Sequence, residues 1–564
     1  MSTTLERNPS TSPPPPEPNE HPQRKWYEYF LFSTDHKVIG IQYLTTAFFF
    51  YFIGGALAEV MRTELATPDP DFIQPEFYNQ AMTMHGSIML FLWIIPAGAA
   101  FANYLIPLMI GAEDMAFPRL NGVAFWMIPP GGLFFLSSFL LDSGAAQAGW
   151  TSYPPLSLVS SKWGEEIWIL SVLLLGTSSI LGAINFLTTI LLMRMPDMDI
   201  HSMPLFCWSM LATSGLILLG TPVLAAALIL LSFDLVAGTA FFNPAGGGDP
   251  IVYQHMFWFY SHPAVYIMIL PFFGAISEIL PVHARKPIFG YRAIAYSSLA
   301  ISFLGLIVWA HHMFSSGTPG WLRMFFMATT MIIAVPTGIK VFSWCATIWG
   351  GKISLNSAML FAIGFISSFL IGGLSGVMLA SVPFDIHVHD TYFIVAHFHY
   401  VLFGGAVFGL FAAVYHWFPK MTGRMVNETW GQIHFVMTFI GFNITFLPMH
   451  PLGLQGMNRR IALYDPQFQT LNMVCTIGSY ILALSTFPFI INIVWSWLKG
   501  EKAGRNPWKA LTLEWQTASP PIIENFEEEP VLWAGPYDYG IDTESIDGDE
   551  DVEDMLAAVT AEGQ

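Results

Sequence analysis

Long apolar runs recur along the middle of the chain. Those between the segment near Thr45 and the segment near Phe489 are separated by short polar loops, which contain most of the Gly and Pro. We count about twelve runs that reach the 18 residues needed to cross about 30 Å of hydrocarbon as an α-helix. The pattern predicts an all-α polytopic membrane protein, with about twelve transmembrane helices in one bundle.

No stretch between residues 40 and 500 is long enough for a soluble domain. The pattern therefore predicts a twelve-helix core over 39–499 and two cytoplasmic tails. The first tail, 1–38, contains four consecutive prolines, has no signal-peptide core and is expected to be disordered. The second, 500–564, has nine Asp and Glu and no Lys or Arg from Asp542 onward, which predicts disorder from about residue 541.

Composition agrees with a membrane protein, since 54% of the 564 residues are hydrophobic and only 11% are charged. The net charge of -18 comes largely from the tails. Membrane lipid is expected as a partner, and nucleic acid is not. The three cysteines stand alone in apolar surroundings, which indicates packed side chains and excludes a thiolate-bridged copper centre in this chain.

Lys and Arg fall unevenly on the two sides of the predicted bundle. If the N-terminus is cytoplasmic, that side receives sixteen of the 22 basic residues, and the other side receives five. Lys340 is the one that falls inside a span. The distribution predicts that both termini are cytoplasmic.

Histidines carry the chemical signal. The predicted spans contain the six residues His85, His262, His311, His312, His397 and His399. Neutral imidazole suits copper, iron and zinc, and haem iron takes axial His. The alternative is a set of structural histidines hydrogen-bonded to backbone carbonyls.

Helical geometry separates these histidines into groups. His397 and His399 point to nearly opposite faces of one helix, so each suits a different haem, and His85 can supply the second ligand to one of them. His262, His311 and His312 offer three nitrogens from two helices, as at a copper ion with an open position. Tyr266 lies four residues after His262, on the same face.

The motifs that contain these histidines resemble subunit I of the haem-copper oxidases, within them the cytochrome c oxidases, from about Trp26 to Asn525. The matching stretches include NYLIPLMIGAEDMAFPRLN, FFNPAGGGDPIVYQH, MIIAVPTGIKVFSW, HVHDTYFIVAHFHYVLFGGAV and LPMHPLGLQGMNRR. PVHARKPIFGYRAIAYSSLA and SPPIIENFEEEP look most like the cyanobacterial branch. The resemblance implies the catalytic subunit of a proton-pumping terminal oxidase that reduces dioxygen to water with electrons from cytochrome c.

The resemblance also assigns cofactors. It implies a low-spin haem between His85 and His399, a high-spin haem on His397 and a copper ion on His262, His311 and His312. Both haems are expected to be haem A, and Tyr266 to be covalently joined to His262. Iron, copper and a tyrosine that gives an electron and a proton together supply the four electrons that splitting dioxygen requires.

Two proton inlets are implied as well. Asp114, Asn103 and Asn121 resemble the mouth of the first inlet. Its polar wall is predicted to consist of Thr177, Ser178 and Ser179, and the second inlet of Ser277, Thr337 and Lys340. Lys340 is also a candidate without the resemblance, because a Lys at the centre of a spanning helix costs about 2.5–3.5 kcal/mol and marks a functional site.

One position departs from the commonest family pattern. Many members have Glu two residues after the first copper histidine, and this chain has Ala264 there. Tyr260 lies one turn earlier on the same face, with Ser261 beside it. We therefore predict that Tyr260 and Ser261 relay protons in place of that Glu.

Further residues are expected at the outer side. Arg459 and Arg460 resemble haem propionate ligands, and Arg62 resembles the residue that polarises a low-spin haem substituent. His389 and Asp390 resemble a magnesium or manganese site shared with subunit II. The implied partners are subunit III and a subunit II with a two-copper centre, and the donor is cytochrome c or a blue-copper protein.

Two other classes stay open. A nitric-oxide-reducing relative is disfavoured by Tyr266 and Lys340. A quinol-oxidising relative is disfavoured by Phe77, where quinol oxidases tend to have His, although Gln80 fits quinol. A transporter with structural histidines is expected to bind no haem. The membrane is either the bacterial plasma membrane or the thylakoid membrane.

Overall fold

Helices make up most of the described chain. The computed structural model describes residues 25–69, 72–532 and 535–539. Within these ranges there are helices and turns but no β-strand. The α-helices are α1 (His36–Glu64), α2 (Pro75–Ile88), α3 (Ile95–Ile110), α4 (Pro118–Trp126), α5 (Ile128–Ser137), α6 (Leu156–Val159), α7 (Lys162–Leu192), α8 (Leu205–Val236), α9 (Pro250–Ala284), α10 (Tyr291–Gly305), α11 (Gly320–Ile332), α12 (Ala334–Ile348), α13 (Ser357–Ala380), α14 (Val382–Val388), α15 (Tyr392–Val401), α16 (Phe408–Thr422), α17 (Glu428–Phe446), α18 (Met449–Leu454), α19 (Gln469–Leu484) and α20 (Thr486–Lys499).

Eleven helical stretches of the described residues are long and apolar enough to cross a membrane. Several consist of two helices in line, such as α2 with α3 and α15 with α16. The twelfth predicted span is interrupted, because α10 ends at Gly305 and the chain continues as a 3-10 helix over Trp309–Met313. The predicted all-α bundle is confirmed, and its count of about twelve corresponds to eleven spans and one broken helix.

The outer surface of the bundle is apolar. Leu140, Leu192 and Phe342 are 86%, 77% and 78% exposed. A water-soluble protein seldom exposes so many large apolar side chains, whereas lipid tails cover them at no cost. The protein is therefore an integral membrane protein.

The two ends of the described chain meet on one side of the bundle, which we call the terminal face. α1 begins there, and the Asp35 side chain caps it by accepting from the backbone N–H groups of Lys37 and Val38. Residues 500–532 and 535–539 pack against the same face, and we call them the C-terminal strap. The other end of the bundle is called the opposite face.

These findings move the predicted domain limits. α1 begins at His36, so the boundary predicted at residue 38 falls inside the first helix. The strap carries buried side chains such as Asn525 and Trp515, so the core extends beyond residue 499. The predicted disorder of residues 1–24 and from about residue 541 lies outside the described residues.

Two wide π-helical turns interrupt spans close to predicted haem ligands. One, Met89–Ile94, begins four residues after His85, and the other, Leu402–Val407, begins three residues after His399. π-Turns are frequent at functional sites because they shift the side-chain register of a helix. Both therefore mark where the bundle departs from regular packing around its histidines.

Candidate metal centre

Three histidines converge in the middle of the bundle. One potential ligand atom from each of His262, His311 and His312 lies within 4.8 Å of the other two, in the one such group of three among the described residues. His262 belongs to α9, whereas His311 and His312 lie on the 3-10 helix rather than on a second regular helix. The structure thus brings the predicted trio together.

The nitrogen geometry fits one metal ion. His262 Nδ1 and His312 Nε2 are 3.3 Å apart. Two nitrogens bound to a tetrahedral metal ion at about 2 Å each are separated by about 3.3 Å. His262 Nε2 is buried and has no hydrogen-bond partner, which is rare for a structural histidine.

Neighbours that the sequence did not reveal hold these rings. The Nδ1 of His311 is 2.9 Å from the Thr330 hydroxyl on α11, which leaves Nε2 for a ligand. The Trp258 ring stacks on His312 with centroids 3.7 Å apart and planes at 8°. Trp258 lies one turn before His262, and this spacing is the feature of the sequence that could have identified it.

Tyr266 lies beside the trio. Its ring centroid is 4.8 Å from that of His262. A Cβ at Gly305 of α10 would approach the Tyr266 ring to 3.0 Å, so a residue without a side chain is needed there. The structure confirms that the two rings are neighbours.

His397 faces the same region from α15. Its Nδ1 donates to the Gly372 carbonyl at 3.0 Å and lies 3.1 Å from the Ser375 hydroxyl. A Cβ at Gly376 would lie 2.9 Å from its Cε1 atom, so α13 approaches the ring closely through a glycine. With Nδ1 protonated, Nε2 is free to bind a metal ion.

His85 and His399 form a separate pair. Their ring centroids are 6.5 Å apart and their planes differ by 13°. Each Nδ1 donates to a backbone carbonyl, that of Gly54 for His85 and that of Val395 for His399, which leaves both Nε2 atoms as acceptors. Two imidazoles that bind one metal ion from opposite sides at about 2 Å keep their centres about 6 Å apart.

Two arginines, the buried Arg62 and the partly buried Arg460, lie at the opposite face. Arg62 donates to the Asn472 carbonyl at 2.8 Å and the Thr476 hydroxyl at 3.0 Å, while its Nε is buried without a partner. Burial lowers the pKa of Arg460 to about 10. A buried cation of this kind is stabilised by an anionic ligand.

Arg459 is paired within the chain instead. Its Nε donates to Asp390 Oδ1 at 2.7 Å, and its Nη2 lies 2.5 Å from the same oxygen. Partial burial alone would raise the pKa of Asp390, but Arg459 and His389 outweigh it and hold that pKa below its ordinary value. The pair fixes the loop in which Asp390 adopts a left-handed backbone, with φ 55°.

His389 and Asp390, the predicted magnesium or manganese ligands, lie side by side. His389 Nδ1 is 3.1 Å from Asp385 Oδ2, and its Nε2 is 3.9 Å from Asp390 Oδ2. Arg459 already neutralises Asp390, so a divalent ion here needs ligands from another chain.

The first predicted inlet contains a cavity of about 50 Å³. Asn103, Ser178, Ser179 and Tyr260 line it, together with Thr213, which the sequence did not reveal. One water needs about 10–15 Å³ of such volume, so the cavity has room for a few water molecules. It connects one predicted mouth residue with one predicted relay residue.

Other residues of that inlet are placed differently. Thr177 is exposed on α7 and its hydroxyl donates to the Leu173 carbonyl, so it does not line the cavity as predicted, because the helix turns it outward. Asn121 Nδ2 and Ser261 Oγ are buried without partners. Asp114 lies in the loop after α3, where partial burial raises its pKa to about 6.

The polar residues of the second predicted inlet are hydrogen-bonded within the bundle. Lys340 is completely buried, and its Nζ donates to the Ile294 carbonyl at 3.0 Å and the Ser298 hydroxyl at 2.7 Å. The Ser277 hydroxyl donates to the Phe273 carbonyl and accepts from the Trp344 indole. The Thr337 hydroxyl donates to the carbonyl of Ile333, the residue before α12.

An all-helical membrane bundle around such a histidine trio and a facing histidine pair is the architecture of a haem-copper terminal oxidase. Comparison with known proteins agrees. The family described as "Cytochrome C and Quinol oxidase polypeptide I" matches residues 38–481, and the chain belongs to this family.

Curated relatives are similar over almost their whole length. Cytochrome c oxidase subunit 1 of Synechocystis is 79% identical over 537 residues, which cover 95% of this chain and 97% of the relative. Cytochrome c oxidase subunit 1 of Thermostichus vulcanus is 65% identical, over 94% of this chain and 96% of the relative. The predicted likeness to the cyanobacterial branch is confirmed.

A solved structure shows the same fold. A haem-copper terminal oxidase dimer determined by cryo-EM superposes with a TM-score of 0.67 at 18% identity, over 83% of this chain and 85% of that chain. The chain is thus the catalytic subunit of a respiratory oxidase, an enzyme that uses haem and copper and works in a complex with other subunits.

Proposed function

We propose that the chain reduces dioxygen to water with electrons from cytochrome c or a similar soluble donor, and couples this reaction to proton pumping. The observation that carries the proposal is the trio His262, His311 and His312, with Tyr266 and His397 beside it. Three imidazoles with ligand atoms within 4.8 Å suit a copper ion with one position open.

The residues fit the implied groups one by one. The trio would hold copper, His397 a high-spin haem, and His85 with His399 a low-spin haem, both of the A type. When bound, these groups would supply electrons to dioxygen between the iron and the copper. The hydrogen bonds to Nδ1 of His85, His397 and His399 support this assignment, since each leaves Nε2 for iron.

Tyr266 would give a proton and an electron to the reaction. Its ring is 4.8 Å from that of His262, and a His262 nitrogen is buried without a partner. Both facts support the covalent link between the two side chains that the resemblance implies. Such a link holds the phenol beside the site where oxygen is reduced.

Protons would arrive by two inlets. Asp114 would take them up at the terminal face, and Asn121, Asn103, Ser178 and Ser179 would guide them to Tyr260 and Ser261. Support comes from the cavity that Asn103, Ser178 and Tyr260 line together and from the unpaired hydroxyl of Ser261. Thr177 is left out of this path because it is exposed on the outer surface of α7.

Lys340 would carry the second inlet, with Thr337 and Ser277. It is buried completely, and its hydrogen bonds go to a hydroxyl and a carbonyl. The amine of a lysine can take up a proton and pass it on.

The opposite face would receive electrons. There Arg460 would bind a haem propionate and Arg62 a low-spin haem substituent, supported by the burial of Arg62 and the partial burial of Arg460. Arg459 would bind a propionate while it stays paired with Asp390. His389 and Asp390 would share magnesium or manganese with subunit II, whose two-copper centre would pass electrons from the donor, and subunit III would complete the complex.

Orientation follows from charge. Most Lys and Arg lie at the terminal face, so we assign that face to the cytoplasm, with both termini. The membrane is the plasma membrane or the thylakoid membrane.

Optical spectra of the purified complex test the cofactor assignment. The dithionite-reduced spectrum, taken with and without carbon monoxide, and the pyridine haemochrome should reveal two A-type haems, of which one responds to carbon monoxide. His311→Ala is expected to lose copper and to retain both haems. His201→Ala is the control and should lose no copper, because His201 bonds Tyr296 instead. A preparation without haem would refute the proposal, and B-type haem would favour a quinol or nitric oxide enzyme.

Oxygen consumption separates the donors. Reduced cytochrome c, a reduced blue-copper protein and a quinol are supplied in turn to the intact complex. Turnover with either soluble donor supports the proposal. Turnover with quinol alone would contradict it.

A further inference from the structure

Buried side chains fasten the C-terminal strap to the terminal face. Lys420 of α16 donates to the carbonyls of Arg505, Thr517 and Ala518 at 3.0, 2.7 and 3.2 Å. Tyr537 donates to Glu278 Oε1 at 2.6 Å. The fastening at Asn525 differs from these two because it reaches the predicted mouth of the first proton inlet.

The Asn525 side chain is completely buried, and its amide is bonded on both sides. Its Nδ2 donates to the carbonyls of Ala112 at 2.8 Å and Glu113 at 3.0 Å. Its Oδ1 accepts from Lys37 Nζ at 2.6 Å and lies 3.0 Å from His36 Nε2. An amide offers two donors and two acceptor lone pairs, so both donors and at least one acceptor position are used.

The two carbonyls belong to the loop that carries Asp114. Ala112 and Glu113 precede Asp114 directly, and the loop joins α3 to α4. His36 Nδ1 in turn lies 2.7 Å from the Asn103 carbonyl on α3. One side chain of the strap thus ties the Asp114 loop, the start of α1 and, through His36, the helix that carries Asn103.

The backbone of Asn525 suits this role. Its φ of 71° is left-handed, a conformation in which Asn is several-fold enriched among residues other than Gly. The chain therefore places the amide from a conformation that few residues adopt without strain.

We propose that Asn525 is a positioning residue for proton uptake, which holds the Asp114 loop at the mouth of the first inlet. The inference rests on the proposed function, in which Asp114 is the uptake group. A strap that only stabilised the fold would need no amide with both donors on the carbonyls beside Asp114 and its oxygen on the start of α1. Since Asn525 lies at the terminal face, the binding of the electron donor at the opposite face should not depend on it.

The test compares four variants of the whole oxidase complex in lipid vesicles. Asn525→Gly removes the amide and tolerates the left-handed backbone. Asn525→Asp keeps an acceptor for Lys37 but loses both donors to the loop. Tyr537→Phe is the matched control, because it releases the strap at Glu278, and Asp114→Asn is the reference for a blocked inlet.

Pumped protons per electron, oxygen turnover and KM for the donor are measured once the haem spectra show an assembled centre. Pumping and turnover should fall by about threefold or more in both Asn525 variants, with KM unchanged, while Tyr537→Phe behaves like wild type. If pumping and turnover are the same in the Asn525 variants and in Tyr537→Phe, the proposal is overturned. Asn525 would then only fasten the strap, as Tyr537 does. If Asn525→Gly does not assemble, Asn525→Asp decides by the same criterion.

The Asp114→Asn reference distinguishes failure of the proposed first inlet from failure of the role proposed for Asn525. Normal pumping in Asp114→Asn would refute the first inlet and with it the role of Asn525. Blocked pumping in Asp114→Asn together with wild-type pumping in the Asn525 variants would refute the inference alone.

Discussion

The two proposed proton inlets are built in opposite ways. The first begins at a loop carboxyl, Asp114, and leads to a cavity of about 50 Å³ whose largely apolar lining includes Asn103, Ser178 and Tyr260. The second depends on Lys340, which is completely buried and held by two hydrogen bonds from α10.

This contrast indicates how each inlet works. A cavity with room for a few waters can pass protons along water and hydroxyl groups, so single wall residues matter moderately. The second inlet depends on one titratable side chain, which must break its contacts to move a proton. The second inlet should therefore be the more sensitive to single substitutions.

Removal of the Lys340 ammonium should have the largest effect. Lys340→Met keeps a flexible chain of similar length and removes the only titratable group of that inlet, so oxygen turnover should fall by about 100-fold. Steady-state oxygen consumption of the purified complex measures this. Lys286→Met is the control, since Lys286 bonds backbone carbonyls at the terminal face. Turnover retained in Lys340→Met would contradict the greater sensitivity of the second inlet.

The relay at the end of the first inlet comes next. Tyr260→Phe combined with Ser261→Ala removes both hydroxyls and should abolish pumping while turnover falls by about tenfold. Proton release by vesicles after an oxygen pulse measures it. Thr177→Val is the control, because that side chain is exposed outside the cavity, and unchanged pumping in the double variant would exclude the relay.

A smaller effect is expected where Lys340 is held. Ser298→Ala removes one hydrogen bond to Nζ, worth about 1 kcal/mol, so turnover should change by about fivefold. Ser297→Ala is a matched control, since its buried hydroxyl bonds only the Ile294 carbonyl of the same helix. Equal rates in the two variants would show that Lys340 needs no fixed partner.

The smallest effect is spectroscopic and concerns Asp114. Partial burial disfavours its charged form and raises its pKa to about 6, so the carboxyl should be neutral below about pH 6 and ionised above it. Infrared difference spectra across this range should contain a protonated-carboxyl band that disappears as the pH rises. Asp114→Asn should lack the band, and a midpoint near the ordinary value of about 4 would place the carboxyl in open solvent.

The sequence by itself determined the class of fold and the six histidines. Runs of apolar residues can cross a membrane only as helices, because backbone groups find no other hydrogen-bond partners in lipid. The spacing of His397 and His399 predicted that they face different directions, and the structure places His399 opposite His85. A fixed helical period makes such inferences possible within one element.

Only the tertiary structure decided which elements meet. The break after Gly305, the stacking of Trp258 on His312 and the outward direction of Thr177 depend on how helices pack against one another. The reach of Asn525 across more than four hundred residues to the Asp114 loop also has no local signal in the chain. Hydrophobic periodicity specifies the buried face of each helix, but contacts between distant segments depend on side-chain shape and on the hydrogen bonds that buried polar groups must find.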